Sequence, residues 1–260
     1  MPKAKTIKRP IRPFEVVKGL LNVAVDKENT GDIFRIISAV SGSSMAKPAA
    51  RFARTETGQK SIADMDRLLA VLKDQERLKK CPEGSLGRAY LDFVYGEGLT
   101  ADGLTEASTY TAGAGTPSLG AVTDEEVALA NRIRDMHDLW HVTTGYGRDV
   151  VGEVSILSFT YAQVRNPGVA LIVLLGTLVV PVFDRKIPIH LSVLEAFVNG
   201  LTANWLPAEE WEELLDLPLA EVRGRIGLSR PRTYQRVKHR AQELEMRIRA
   251  LQQRVQAIAA

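Results

Sequence analysis

The chain has 260 residues, 45% of them apolar and 25% charged, with a formal net charge of +3. That apolar share permits one large core or two small ones, and the positive balance is too weak to argue for nucleic acid, though it suits a membrane surface or an anionic ligand. Cys81 is the sole cysteine, which excludes an internal disulfide and points to a reducing compartment.

Residues 1–13 hold five Lys or Arg and three Pro and read as an extended basic arm, solvated or laid against acidic lipid or a partner. Glu15 and Lys18 interrupt the apolar stretch that follows, so neither a secretory signal nor a transit peptide is expected. Residues 14–40 read as helical with a break near Thr30-Gly31, and Ser41-Gly42-Ser43-Ser44 as a loop. Ile62 to Leu78 reads as one amphipathic helix with Leu68, Leu69, Val71 and Leu72 on its apolar side, ended by Pro82 and Gly84. Ser85 caps the next helix, which carries Leu86, Tyr90, Leu91, Phe93 and Val94. Residues 103–122, rich in Gly, Thr, Ser and Ala, read as a surface loop. Thr123-Asp124-Glu125-Glu126 is a capping box, and the helix it starts has Val127, Ala130, Ile133, Trp140 and Val142 as apolar positions.

That helix runs into the chemically richest stretch, His137-Asp138-Leu139-Trp140-His141, followed after eleven residues by Glu153. His137 and His141 lie one turn apart on one helical face, and Asp138 flanks His141, so one strip can aim all three at a point. Glu153 on the same rigid helix would sit about 18 Å further along the axis. Gly145 and Gly147 allow the chain to turn back and carry Glu153 over the histidines. Asp149, nearer the corner, reads as a solvated or capping carboxylate. Mixed imidazole and carboxylate donors suit Zn, Fe(II) or Mn rather than Ca or Mg. The plainer alternative is a histidine pair that only packs or hydrogen-bonds. The zinc-protease helix has Glu where this chain has Asp138, which is one methylene shorter, and a His-Asp phosphohydrolase needs a histidine upstream of His137, where there is none. Asp138 either ligates directly or orients a histidine from behind. Arg134, one turn before His137, pairs with Asp138 or serves as the partner of a substrate carboxylate.

Val154 to Ala162 continues as helix. Residues 168–183 hold no charge over sixteen positions, short of the ~20 that a spanning helix needs, and Pro181 and Asp184 are expected to stop the segment. A buried core helix is the first reading; a greasy surface that meets a bilayer or houses a long lipid tail is the second. His190 begins another helix and reads as structural. Pro207 to Trp211 opens a short helix with early acidic residues, and Leu217-Pro218 separates it from Leu219–Leu228. From Thr233 the residues Val237, Ala241, Leu244, Ile248, Leu251, Val255 and Ile258 alternate four and three apart. This is a heptad seam of about three repeats, either a homodimeric coiled coil, with Arg240 and Glu245 pairing across it, or a single helix packed on its own domain. No strand-length alternation stands out. The expectation is an all-α fold with a basic arm (1–13), a single mostly helical domain with the metal site (14–228) and a C-terminal heptad-patterned helix (229–260).

Several of these segments together resemble the coenzyme Q (ubiquinone) biosynthesis protein 4 family. Met136 to Gly145 followed by Gly152-Glu153 matches that family's His-Asp-x-x-His-x(11)-Glu motif. Glu83-Gly84-Ser85-Leu86-Gly87-Arg88-Ala89-Tyr90 with Gly98-Leu99 is similar to its earlier block, with Ser85 where Thr is usual. Trp205, Trp211-Glu212 and Pro218-Leu219-Ala220-Glu221-Val222-Arg223 look like its C-terminal block. The resemblance covers roughly residues 15–228 and gives no role to the 103–122 loop or the heptad tail.

The resemblance implies a mostly helical fold with a divalent metal, most often zinc, held by His137, Asp138, His141 and Glu153. It implies a peripheral membrane protein acting on a polyprenylated quinone precursor. The first functional reading is a carbon–carbon lyase that removes, oxidatively or not, the ring carboxylate of a polyprenylated 4-hydroxybenzoate-type intermediate, with segment 168–183 holding the prenyl tail. The alternative is a non-catalytic, lipid-binding scaffold for the other ubiquinone biosynthesis enzymes. Without a convincing transit peptide, the expected site is the cytoplasmic face of a bacterial inner membrane, or the matrix side of the mitochondrial inner membrane in a eukaryote.

Overall fold

A computed structural model describes residues 30–96 and 122–259. The basic arm, the helix expected over 14–29 and nearly all of the loop expected at 103–122 lie outside the described residues. The described residues form fourteen α-helices and no strand, as the sequence predicts. They are α1 (Thr30–Ser41), α2 (Ala46–Phe52), α3 (Glu56–Ala63), α4 (Arg67–Lys73), α5 (Gln75–Lys79), α6 (Leu86–Tyr95) and α7 (Asp124–Asp135). After them come α8 (His137–Thr144), α9 (Val150–Val164), α10 (Pro167–Phe183), α11 (Ile189–Thr202), α12 (Trp211–Leu214), α13 (Leu219–Arg225) and α14 (Arg232–Ala259).

The arrangement follows from α9. Val151, Val154, Ile156, Phe159 and Val164 are buried on several of its faces, and a helix that is apolar all round belongs inside. It is wrapped by α10, α11 and α14. The polar groups that α9 takes into the core are all answered, as burial requires. Ser155 Oγ shares a hydrogen bond with Ser192 Oγ at 2.8 Å, Ser158 Oγ donates to the Val193 carbonyl at 2.9 Å, and Gln163 Nε2 donates to the Gly200 carbonyl at 2.6 Å. Trp140 of α8 meets Phe159 edge to face at 5.5 Å, which joins the histidine helix to this core.

Four expectations are corrected. The helix expected from Ile62 to Leu78 is three: α3 ends at Asp64, which is extended, and Asp74 breaks α4 from α5 while its carboxylate caps the Arg77 amide at 2.9 Å. Short acidic side chains that hydrogen-bond nearby amides outcompete the helical ladder at these points. The helix from the Thr123 capping box ends at Asp135, and α8 restarts after a joint at Met136.

Pro181 does not stop α10, which runs on to Phe183. Its last turn is anchored from outside: Val180 is buried, and Asp184 accepts hydrogen bonds from Arg240 at 2.7 and 3.0 Å. Nor is α10 a buried core helix. Only Gly168, Val169 and Val180 are buried, while Leu178 is 61% and Val182 79% exposed. Most of its apolar side chains are half-buried or exposed.

The heptad tail, α14, packs on its own domain. Ala241, Leu244 and Ile248 are buried, with α14 lying against α9 and α11. The pair expected to bridge two copies is engaged within the chain, Arg240 with Asp184 and Glu245 with Arg249 at 3.0 Å.

Candidate metal centre

The site is assembled by two helices and the corner between them. Gly145, at φ 84°, ends α8 in the left-handed conformation that costs an L side chain energy, and its amide donates to the His141 carbonyl at 2.9 Å. Arg223 of α13 donates to the Thr143 and Val142 carbonyls at 2.8 and 2.9 Å, a cation at the negative end of α8. Past the corner, Asp149 caps α9 by accepting from the Val151 and Gly152 amides at 3.2 and 3.0 Å. The chain can double back so tightly because Gly152 has no Cβ; one would run into the Gly147 carbonyl. Glu153 then sits in the first turn of α9, above the histidines.

His141 Nε2 lies 3.1 Å from His137 Nε2 and 3.4 Å from Glu153 Oε1, and His137 Nε2 lies 3.6 Å from Glu153 Oε2. Donors held at roughly 2.05 Å in a tetrahedron around zinc stand about 3.3 Å apart, so these three separations are those a single cation would set. His141 Nδ1 is 3.0 Å from the Tyr146 carbonyl, which accepts the Nδ1 proton and leaves Nε2 as the donor facing its partners. His141 is 1% exposed, whereas the His137 and Glu153 side chains are 22% and 39% exposed, so the group is closed on the protein side and open on the other. The residues present fit a divalent cation with room for an added ligand.

Electrostatics agree with the geometry. Burial pushes the His141 pKa down, but the adjacent Glu153 carboxylate more than offsets this, and the net shift is upward. Burial pushes Glu153 up, and the charges and hydrogen bonds of His141 and His137 reverse that, holding its carboxyl well below the usual range.

Of the sequence-predicted residues, His137, His141 and Glu153 come together. Asp138 stands apart from them and pairs with Arg148 at 3.3 Å. Arg134 is buried and bound to Asp135 at 2.7 Å and to Asn131. Asp149 is a buried cap, the second of the two roles open to it. His190 is exposed at the start of α11. Two residues at the site went unnoticed in the sequence. Phe93 of α6 stacks on the His141 ring at 5.5 Å, and Arg148 lies over Phe93 at 4.1 Å. Arg148 had a signal, being the only cation between His141 and Glu153; Phe93 had none beyond its apolar position on α6.

Known proteins share this framework. A crystal structure of a protein from Nostoc punctiforme, assigned there to ubiquinone biosynthesis, superposes with a TM-score of 0.52 over 84% of this chain and 96% of that one, at 20% identity. Fungal relatives named "Ubiquinone biosynthesis protein coq4, mitochondrial" align at 27% identity in Botryotinia fuckeliana, over 67% of this chain and 58% of the relative. The corresponding protein of Scheffersomyces stipitis is 23% identical over 85% of this chain and 68% of its own length. The alignment thus spans under three fifths of the length of the first of these relatives. The model of one family covers residues 14–232, the histidine helix, the glycine corner and Glu153 included, so the chain belongs to the family described as Coenzyme Q (ubiquinone) biosynthesis protein Coq4.

Proposed function

We propose that the chain acts in ubiquinone biosynthesis as a metal-dependent decarboxylase of a polyprenylated 4-hydroxybenzoate-type intermediate, at a membrane surface. The observation that carries the reading is the trio of donors at 3.1, 3.4 and 3.6 Å, with one imidazole fixed from behind by a carbonyl. Zinc is the first choice for such donors, ahead of Fe(II) and Mn. Asp138 would be the fourth ligand of the proposal, a divalent cation and Arg148 competing for the same carboxylate. When bound, the metal supplies a Lewis-acid centre for the substrate's carboxylate or phenolate. Beside it Arg148, held over the Phe93 ring that stacks on His141, supplies positive charge for a substrate carboxylate.

The membrane part of the reading rests on two exposed faces. Leu191, Leu194, Val198 and Leu201 are spaced three, four and three apart on one side of α11, and Leu174, Leu178 and Val182 four apart on α10. Arg185 and Lys186, both exposed, lie between the two helices. No helix among the described residues is long and apolar enough to cross a membrane, so the reading is peripheral attachment, with the prenyl tail passing between site and lipid. The same faces favour the second reading, a scaffold that gathers the other pathway enzymes on the bilayer.

The separating experiment supplies purified, metal-loaded protein with a prenylated 4-hydroxybenzoate, with and without dioxygen, and follows release of the ring carboxylate as CO₂. Turnover that His137→Ala abolishes supports the enzyme. No turnover under either atmosphere, while pathway complexes collapse without the chain, supports the scaffold.

Metal loading should depend on pH in a definite direction. The raised pKa of His141 means that its contribution to stability is full below about 6.5 and is lost as pH rises through the folded value. Glu153 contributes above about 4.3, and that contribution is lost as pH falls through its depressed value. Between the two the metal-free site holds a charged pair, and a metal must displace the His141 proton. Co²⁺ affinity should rise by at least about tenfold per pH unit until His141 has titrated, then level off. A titration series from acid to mildly alkaline pH that gives a flat profile rejects this picture.

A further inference from the structure

The C-terminal helix begins at Arg232, where the family match ends. Its first turns are built against the metal-site corner. Tyr234, fully buried, donates its phenolic proton to Asp149 Oδ2 at 2.5 Å and accepts the Gly147 amide at 2.9 Å. Gln235 Nε2 donates to the Gly145 carbonyl at 3.3 Å, and three turns along, Glu245 Oε2 accepts the Val150 amide at 3.2 Å. The Tyr234 ring also packs on Tyr146 at 5.4 Å. The helix is itself held from α11, where Glu195 accepts the Thr233 amide at 2.8 Å.

We infer that α14 sets the geometry of the metal site through the corner, with Tyr234 as its positioning residue. Two lines run from that phenol to the donors. One passes through Asp149, which caps α9 and so fixes the helical turn that carries Glu153. The other passes through the corner backbone at Gly147 to the neighbouring Tyr146 carbonyl, the acceptor that holds His141 Nδ1. Both sides of the donor group, the imidazole and the carboxylate, are therefore referred to one hydroxyl. Burial and the Asp149 carboxylate push the Tyr234 pKa up, so the phenol keeps the proton it donates. Outer partners of this kind typically change metal affinity by about 10–100-fold when removed.

The test compares Tyr234→Phe, which deletes only the hydroxyl, with Asp184→Asn, which loosens the same helix at the Arg240 contact. In the metal-free protein, the ¹⁵N resonances of His141 among the four histidines should shift in Tyr234→Phe and stay in place in Asp184→Asn. Co²⁺ affinity should fall about 10–100-fold with an altered d–d absorption in Tyr234→Phe, at unchanged helical content, and remain within about twofold in Asp184→Asn. If Tyr234→Phe does not fold, Glu245→Ala, which removes the Val150 contact, should move the same signals in the same direction. Unchanged His141 resonances and Co²⁺ spectra in the variants at the corner overturn the inference, and so do equal changes in the Asp184 control. The inference rests on the metal reading only for its Co²⁺ arm: wild-type protein that binds no Co²⁺ rejects that reading, while the imidazole resonances still decide the positioning role.

Discussion

Replacing His137 or His141 with Ala is expected to abolish stoichiometric metal retention, with affinity falling by more than the ~100-fold that loss of an outer partner produces. Each change removes one of two imidazole nitrogens that stand 3.1 Å apart, each within 3.6 Å of a Glu153 oxygen. The two variants differ in their side effects. His137 is partly exposed, so its loss should leave the fold intact and report on the metal alone. His141 is buried, stacks on Phe93 and holds the Tyr146 carbonyl, so its truncation also opens a cavity and destabilises the metal-free protein. Elemental analysis of dialysed protein, with thermal melting in chelator, separates the two effects. Full zinc content in His137→Ala would sink the site as described.

A second large effect is expected far from any chemistry. Arg132 of α7 is buried with Glu212 of α12, their side chains 2% and 7% exposed, in a two-pronged pair at 2.9 and 3.1 Å. The same guanidinium donates to the Pro207 and Glu209 carbonyls at 3.1 and 2.6 Å. Arg132→Met strands a buried carboxylate and two carbonyls and should cost about 3–5 kcal/mol. Arg67, 3.5 Å from Glu212, takes up part of the charge and pulls the cost to the lower end. Arg132→Met with Glu212→Leu should recover much of the loss, because the pair itself repays little beyond its own desolvation. The exposed pair Arg225 and Glu221, closer at 2.6 Å, should be worth under ~1 kcal/mol. Urea midpoints for the three variants decide this; equal costs for buried and exposed pairs would contradict it.

The consequence for the site is indirect. Arg132 ties α7, which leads into the histidine helix, to the segment around Trp211 that the resemblance picked out. The Pro218 to Arg223 block meets the site more closely, since Arg223 holds the last carbonyls of α8. Motifs distant in the chain thus meet α8 and the helix that leads into it.

The chain alone determined what depends on short range. The all-α class, the Thr123 capping box, the one-turn spacing of His137 and His141 and the glycine corner that returns Glu153 all follow from local periodicity and from the few residues that tolerate a left-handed backbone. Asp149, open in the sequence to a solvated or a capping role, is a cap that reaches two and three residues along. Only the tertiary structure decided the partners of charged and apolar side chains whose choices span the chain. Arg134 took Asp135, Asp138 took Arg148, α10 turned its leucines outward, and the Ala241, Leu244 and Ile248 part of the α14 seam was used inside the chain. Tyr234 reaches Asp149 across 85 residues, and no spacing rule encodes such a contact. Periodicity fixes which face of a helix is apolar or charged; what that face meets is set by how the whole chain competes for burial, and that competition exists only once the helices have packed.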